Sequence, residues 1–303
     1  MANLYTHQGE NTRKTYLFMF GFLLLVVGLG YALSYYLGNP VVLYIAIVVS
    51  FGMNFGAYWW SDKLALSMSG AKPVAREESQ ELYRMVENLC ITAGLPLPRI
   101  HIMVAPQINA FATGRDPEHA AIAVTTGAME KLSKVELEGV IAHELSHIGN
   151  RDILIASVVV VLAGVVAMVA DLGLRMSFFG GGRRGGRDGG GGLGLVIALV
   201  AIIVAPIAAT IIRLAVSRQR EYLADASGAM LTRYPDGLAG ALDKIRKDST
   251  AMPHTHTATA HLFIGSPLNE DDKDEPSYLA KLFMTHPPLS ERIARLRQGG
   301  SLS

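Results

Sequence analysis

Five consecutive residues, His143-Glu144-Leu145-Ser146-His147, have the types and the spacing to activate a water molecule. On a helix, two histidines four apart stand on one face and offer two ring nitrogens to a single metal ion, while Glu144 projects beside them. That arrangement belongs to metal-assisted hydrolysis, in which the metal acidifies a water and the glutamate takes its proton. The competing reading is a helix that carries two surface histidines and no metal.

A catalytic zinc takes three protein ligands and keeps a fourth position for water, so a third ligand is required. Glu221 is the first choice. Asp225 follows it by one helical turn on the same face, placed to accept the free ring N–H of a ligating histidine and so fix its tautomer. Two alternatives stay open on spacing alone. Glu221 could pair with Arg218 or Arg220 at a helix start, or the ligand could be His254, His256 or His261, in a stretch with no structural signature.

The motif needs a helix, and the sequence supplies one. Ser133 followed by Glu136 forms a capping box, and Leu137, Val140, Ile141, Leu145 and Ile148 make an apolar stripe that runs through the motif to Gly149. Upstream, Leu82, Met85, Val86, Leu89, Cys90 and Ala93 repeat at helical spacing until Gly94 and Pro96 stop the helix. Residues 99–105 and 120–126 read as strands, and 108–114 (INAFATG) as an edge strand or a loop. A helix is expected over 235–247, a loop over 248–276, and a last amphipathic helix carrying Leu289, Ile293 and Leu296.

Half of the 303 residues are hydrophobic and 17% are charged, a balance that points to a membrane. Four apolar runs, 17–37, 41–60, 153–174 and 193–214, are long enough to cross a bilayer, which takes a helix of roughly 20 residues. The first is too long for a usual signal core and leads through Gly38-Asn39-Pro40 straight into the second, so a retained hairpin is expected. The fold class is therefore an α+β integral membrane protein: mainly helical, with four transmembrane helices and a zincin-like catalytic domain holding a small β-sheet. Its parts are a loose polar N-terminus (1–16), the hairpin (17–60), a first catalytic segment (61–152), a second hairpin (153–214) with a Gly/Arg-rich loop (175–192), and a second catalytic segment (215–303).

Arg13 and Lys14 precede the first hairpin, Lys63, Lys72 and Arg76 follow it, and the connecting loop carries no charge, which places both ends in the cytoplasm. Arginines in the 175–192 loop run against that rule. Ile153 starts a few residues after His147, which brings a metal there within roughly 10 Å of the apolar region, at the membrane surface. The charged residues Lys131, Lys134, Glu136, Glu138, Arg151 and Asp152 keep the motif helix itself out of the hydrocarbon. A net charge of +1 argues against a nucleic-acid partner. The single cysteine, Cys90, falls on an apolar stripe and reads as a core residue.

HELSH, SRQREYLAD after two apolar runs, INAFATG upstream and THPPLSERI near the end together resemble the HtpX family of membrane metalloproteases, relatives of the CAAX prenyl proteases. The resemblance covers nearly the whole chain in order. It implies a gluzincin-type zinc endopeptidase of the bacterial inner membrane that faces the cytoplasm and acts in quality control of misfolded or damaged membrane proteins. It also implies Glu221 as third ligand, an edge strand at Asn109, Ala110 and Phe111 along which an extended substrate lies, and His286 as a donor to the oxyanion. A buried turn at Asn109 and a helix-capping role for His286 remain the plain alternatives. The rival to an enzyme is a membrane scaffold or channel with a structural zinc, which would want a fourth protein ligand.

Overall fold

The structure, a computed structural model, describes residues 4–162, 218–250, 252, 259–265 and 287–300. Two long helices, α1 (Leu4–Leu37) and α2 (Val41–Met68), form an antiparallel hairpin. Gly38, at φ +63°, turns the chain between them, and Ser34 Oγ donates to the Asn39 carbonyl to close the end of α1. The helices cross at Gly30, where an added Cβ would stand 2.1 Å from the Ala46 Cβ. Glycine is what permits that approach, as is usual where helices pack without a hydrophobic driving force between them. Leu17, Phe20, Tyr35, Tyr44, Val48 and Phe51 face outward, a surface suited to lipid.

Among the described residues these two helices are long and apolar enough to cross a bilayer. The expected third span begins as helix α6 (Asp152–Leu162), which bends 85° away from the motif helix α5 (Lys134–Gly149); the pair would meet the same measure only if taken as one broken span. Arg151, in the left-handed region at φ 58°, makes the turn. The rest of 153–174, the loop 175–192 and the fourth run 193–214 lie outside the described residues.

The N-terminus departs from expectation. Residues read as loose are helical from Leu4, and Asn11 and Thr15 are buried rather than solvated. Their polar side chains find partners inside the protein, and those bonds hold the helix ahead of its apolar run. The boundary drawn at residue 60 is likewise a change of surroundings and not a helix end. α2 continues to Met68, with Ala65 and Leu66 packed into a cluster with Met103, Ala105 and Phe111.

Four strands form one mixed sheet in the order β1-β2-β4-β3, from β1 (Lys72–Pro73), β2 (Arg99–Met103), β3 (Ala110–Thr113) and β4 (Ala121–Thr125). β2 and β4 are parallel, and the other pairs are antiparallel. Every residue of β4 is buried, because Ile122 and Val124 meet the main core while Ala121 and Ala123 meet the Met103/Phe111 cluster. That is why its sequence is a continuous apolar run and not an alternation. The ambiguous stretch 108–114 contains β3, the edge strand.

Helices α3 (Gln80–Ala93), α4 (Thr126–Lys131), α5, α7 (Arg218–Thr232), α8 (Pro235–Lys247) and α9 (Leu289–Gly300) complete the body. The buried residues of α3 are Leu82, Met85, Val86, Leu89 and Cys90, five of the six on its sequence stripe, and Gly94 ends it at φ 67°. The capping box of α5 is present, with Ser133 N–H donating to Glu136 at 2.6 Å. α5 lies at the centre, against the sheet, α3, α7 and α8. The 248–276 stretch, expected as a loop, includes a short 3-10 turn (Ala260–Leu262) that is buried.

Candidate metal centre

α5 and α7 meet almost backbone to backbone. An added Cβ on Gly228 would stand 2.9 Å from the His143 amide nitrogen, so a glycine there sets how near α7 can come. Glu221, Asp225 and Gly228 follow one another at intervals of four and three residues. They share the buried face of α7 that lies on the histidines.

The result is a compact cup of three side chains. His143 Nε2 and His147 Nε2 are 3.1 Å apart, Glu221 Oε2 is 3.8 Å from the first, and Glu221 Oε1 is 3.6 Å from the second. Ligands of a tetrahedral zinc, bound at about 2.0–2.1 Å, stand roughly 3.3 Å from one another, so the three atoms fit such an ion with small adjustment. The histidine rings are perpendicular, at 89°. Among the described residues these three form the one group of His, Cys, Asp and Glu able to hold a metal. His261 lies beside the cup, but its Nε2 faces the Ala156 carbonyl at 3.3 Å. His254 and His256 fall outside the described residues.

Each histidine has a carboxylate behind it. His143 Nδ1 is 3.1 Å from Asp225 Oδ1. His147 Nδ1 is 3.1 Å from Asp152 Oδ2, a partner that the sequence reading missed. The hydrogen bond from His147 Nδ1 to Asp152 and the close approach of His143 Nδ1 to Asp225 turn both Nε2 atoms toward one point. Burial works against a charged His147, but Asp152 and Glu221 outweigh it and push its pKa up to about 9. His143 moves down, through burial and the positive charges of Arg292 and His147.

Arg292, also missed, is fully buried below the cup. It grips Asp225 with two bonds, Nε to Oδ2 at 2.9 Å and Nη2 to Oδ1 at 2.7 Å, and reaches Glu221 Oε2 at 3.3 Å. Burial opposes its charge, yet Asp225, Glu221 and Glu144 together hold it firmly protonated. In return, and against burial, it pulls Asp225 down to about 2. The signal was present in the sequence: Arg292 falls between Leu289, Ile293 and Leu296, on the stripe that a buried helix face must present.

Glu144 lies at the cup, 2% exposed. Burial raises its pKa to about 7, with Glu221 adding to the effect and His147, Arg292 and a backbone bond from Ala112 opposing it.

Asn109, Ala110 and Phe111 stand at the edge of the sheet and are buried. Their outer side is covered by residues 259–265. Ile264 N–H donates to the Ala110 carbonyl at 3.1 Å, Asn109 Nδ2 donates to the Gly265 carbonyl at 2.9 Å, and the Phe263 ring meets Phe111 edge-on at 5.1 Å. This main-chain pairing is of the kind that an extended peptide would make at such an edge. His286 lies outside the described residues.

Residues 76–299 match peptidase family M48. The chain is 46% identical over 301 residues to a protease HtpX homolog of Thermoanaerobacter pseudethanolicus, covering 97% of each chain. It is 41% identical to one of Tropheryma whipplei, covering 98% of this chain and 99% of that one. Among solved structures, Ste24p of S. mikatae superposes with a TM-score of 0.50 at 18% identity, covering 88% of this chain. The present chain spans 64% of the length of that protein, and the likeness is one of fold.

Proposed function

The chain belongs to the HtpX proteases of peptidase family M48, and from that premise we propose that it is a membrane-anchored zinc endopeptidase working at the cytoplasmic face of a bacterial inner membrane. The observation that carries the reading is the convergence of His143, His147 and Glu221 on one point beside Glu144. A zinc ion held there would supply a Lewis acid to the scissile carbonyl and to the attacking water.

The chain's own residues do the rest. Glu144, buried beside the cup, takes a proton from the attacking water and returns it to the leaving amine. Asp225 and Asp152 hold the two imidazoles in the tautomer that leaves Nε2 free, and Arg292 fixes Asp225 and Glu221 together. A substrate extended along Asn109, Ala110 and Phe111 would take the place of residues 259–265 on the edge of β3. His286, six residues before Arg292, is the proposed donor to the oxyanion.

Binding by main-chain bonds asks for exposed backbone and little sequence, a property of misfolded or damaged membrane proteins, which are the substrates we favour. The four-span architecture and the zincin-like character of the catalytic body belong to the same proposal. Against a structural zinc stands the absence of a fourth ligand from the cluster among the described residues. The test uses the detergent-purified full chain and an unfolded polypeptide. Cleavage should stop with a chelator and return with zinc; cleavage indifferent to the chelator contradicts the proposal.

A further inference from the structure

Asn11 lies in the helix of the first span, 132 positions before His143 in the sequence, and yet it is 5% exposed and reaches the metal cup through one intermediary. Its Nδ2 donates to Asp152 Oδ1 at 2.6 Å and to the Asn150 carbonyl at 3.2 Å. The other oxygen of Asp152 faces His147 Nδ1 at 3.1 Å. Asn11 Oδ1 faces Arg220 Nη1 at 3.5 Å, at the outer limit of a hydrogen bond, and Arg220 adjoins Glu221. One amide therefore touches both stretches of chain that deliver ligands, the turn after α5 and the start of α7.

We propose that Asn11 is a positioning residue for the metal: it orients the Asp152 carboxylate that orients His147, and so makes the anchor helix a working part of the site. The chemistry explains the residue type. An amide donates two hydrogens and accepts at its oxygen, which is what Asn150, Asp152 and Arg220 together ask of it. Aspartate would set a second negative charge against Asp152 and have nothing to donate; leucine of similar size would offer neither function. Groups standing behind metal ligands are worth about 10–100-fold in metal affinity, and one step further removed Asn11 should fall near the low end.

The inference rests on the reading of His143, His147 and Glu221 as zinc ligands, so the experiment separates the two. Zinc affinity of the detergent-purified full chain is measured by competition with a chromophoric chelator, for wild type, Glu221→Ala, Asn11→Leu, Asp152→Asn and the double variant. Glu221→Ala should lose the high-affinity zinc; if it binds as wild type does, the ligand assignment fails and this inference with it. With that loss in hand, Asn11→Leu should bind zinc about tenfold more weakly, and adding it to Asp152→Asn should cost little more, since both act through one chain of bonds. The milder Asn11→Ser, measured alongside, should weaken zinc in the same direction. Unchanged affinity in the Asn11 variants, or penalties that simply multiply in the double variant, overturns the role of Asn11 while leaving the ligands standing.

Discussion

A fully buried arginine in contact with two buried carboxylates is the most consequential single residue that the HELSH motif does not announce. Removing one partner of a buried charge pair leaves the other uncompensated, at a cost of about 3–5 kcal/mol. Arg292→Ala should therefore lower the melting temperature by several degrees and release zinc. Arg292→Lys should recover little, because a single ammonium cannot reproduce the two-pronged grip on Asp225. Thermal unfolding and metal content check both; a stable, zinc-replete Arg292→Ala would contradict the role. At this scale the sequence was most legible where chemistry is local. His143, Glu144 and His147 declare themselves by spacing, and Asp225 by its turn from Glu221. Asp152 was hidden because its meeting with His147 depends on the left-handed turn at Arg151, which no periodicity marks.

At the scale of elements, the site exists because α7 can lie flush on α5. Gly228→Val should push α7 away and weaken zinc binding at least tenfold while the α3 and sheet core keeps the helical content nearly constant. Circular dichroism beside zinc titration tests this, and unaltered affinity would show that the close approach is not needed. α3, which buries one clean face, was readable from its stripe, and α5, buried nearly all round, from its capping box and apolar spacing. The edge strand β3 was ambiguous because all of its residues are buried, partly by residues 259–265, so its alternation is erased. That covering segment carries no pattern of its own: its order comes from Asn109, Ala110 and Phe111, a tertiary effect. The helical start of α1 is likewise tertiary, since it depends on Asn150, Asp152 and Arg220 far along the chain.

At the scale of the whole molecule, the hairpin and the body are joined through the site, with α6 packed on α1 and α2 by Leu154, Val158, Phe22 and Ala57. Both hairpin ends lie on the side of the metal cup. If the positive residues there face the cytoplasm, Asn39→Cys in the connecting turn should react with a membrane-impermeant maleimide in intact cells, and Lys72→Cys only after lysis. Cys90 will not obscure the result, because burial, aided by Glu87, pushes its thiol up to about 11. The reverse labelling pattern would invert the proposed orientation. All of these features serve one claim, that this membrane protein cuts polypeptides with a metal held by His143, His147 and Glu221 and a proton moved by Glu144. Its most direct test is Glu144→Gln in the full-length protein, with zinc content and cleavage of an unfolded substrate measured on the same preparation. Zinc should be bound as in wild type and cleavage reduced about a thousandfold; hydrolysis that survives in a zinc-loaded Glu144→Gln protein would rule out Glu144 as the base.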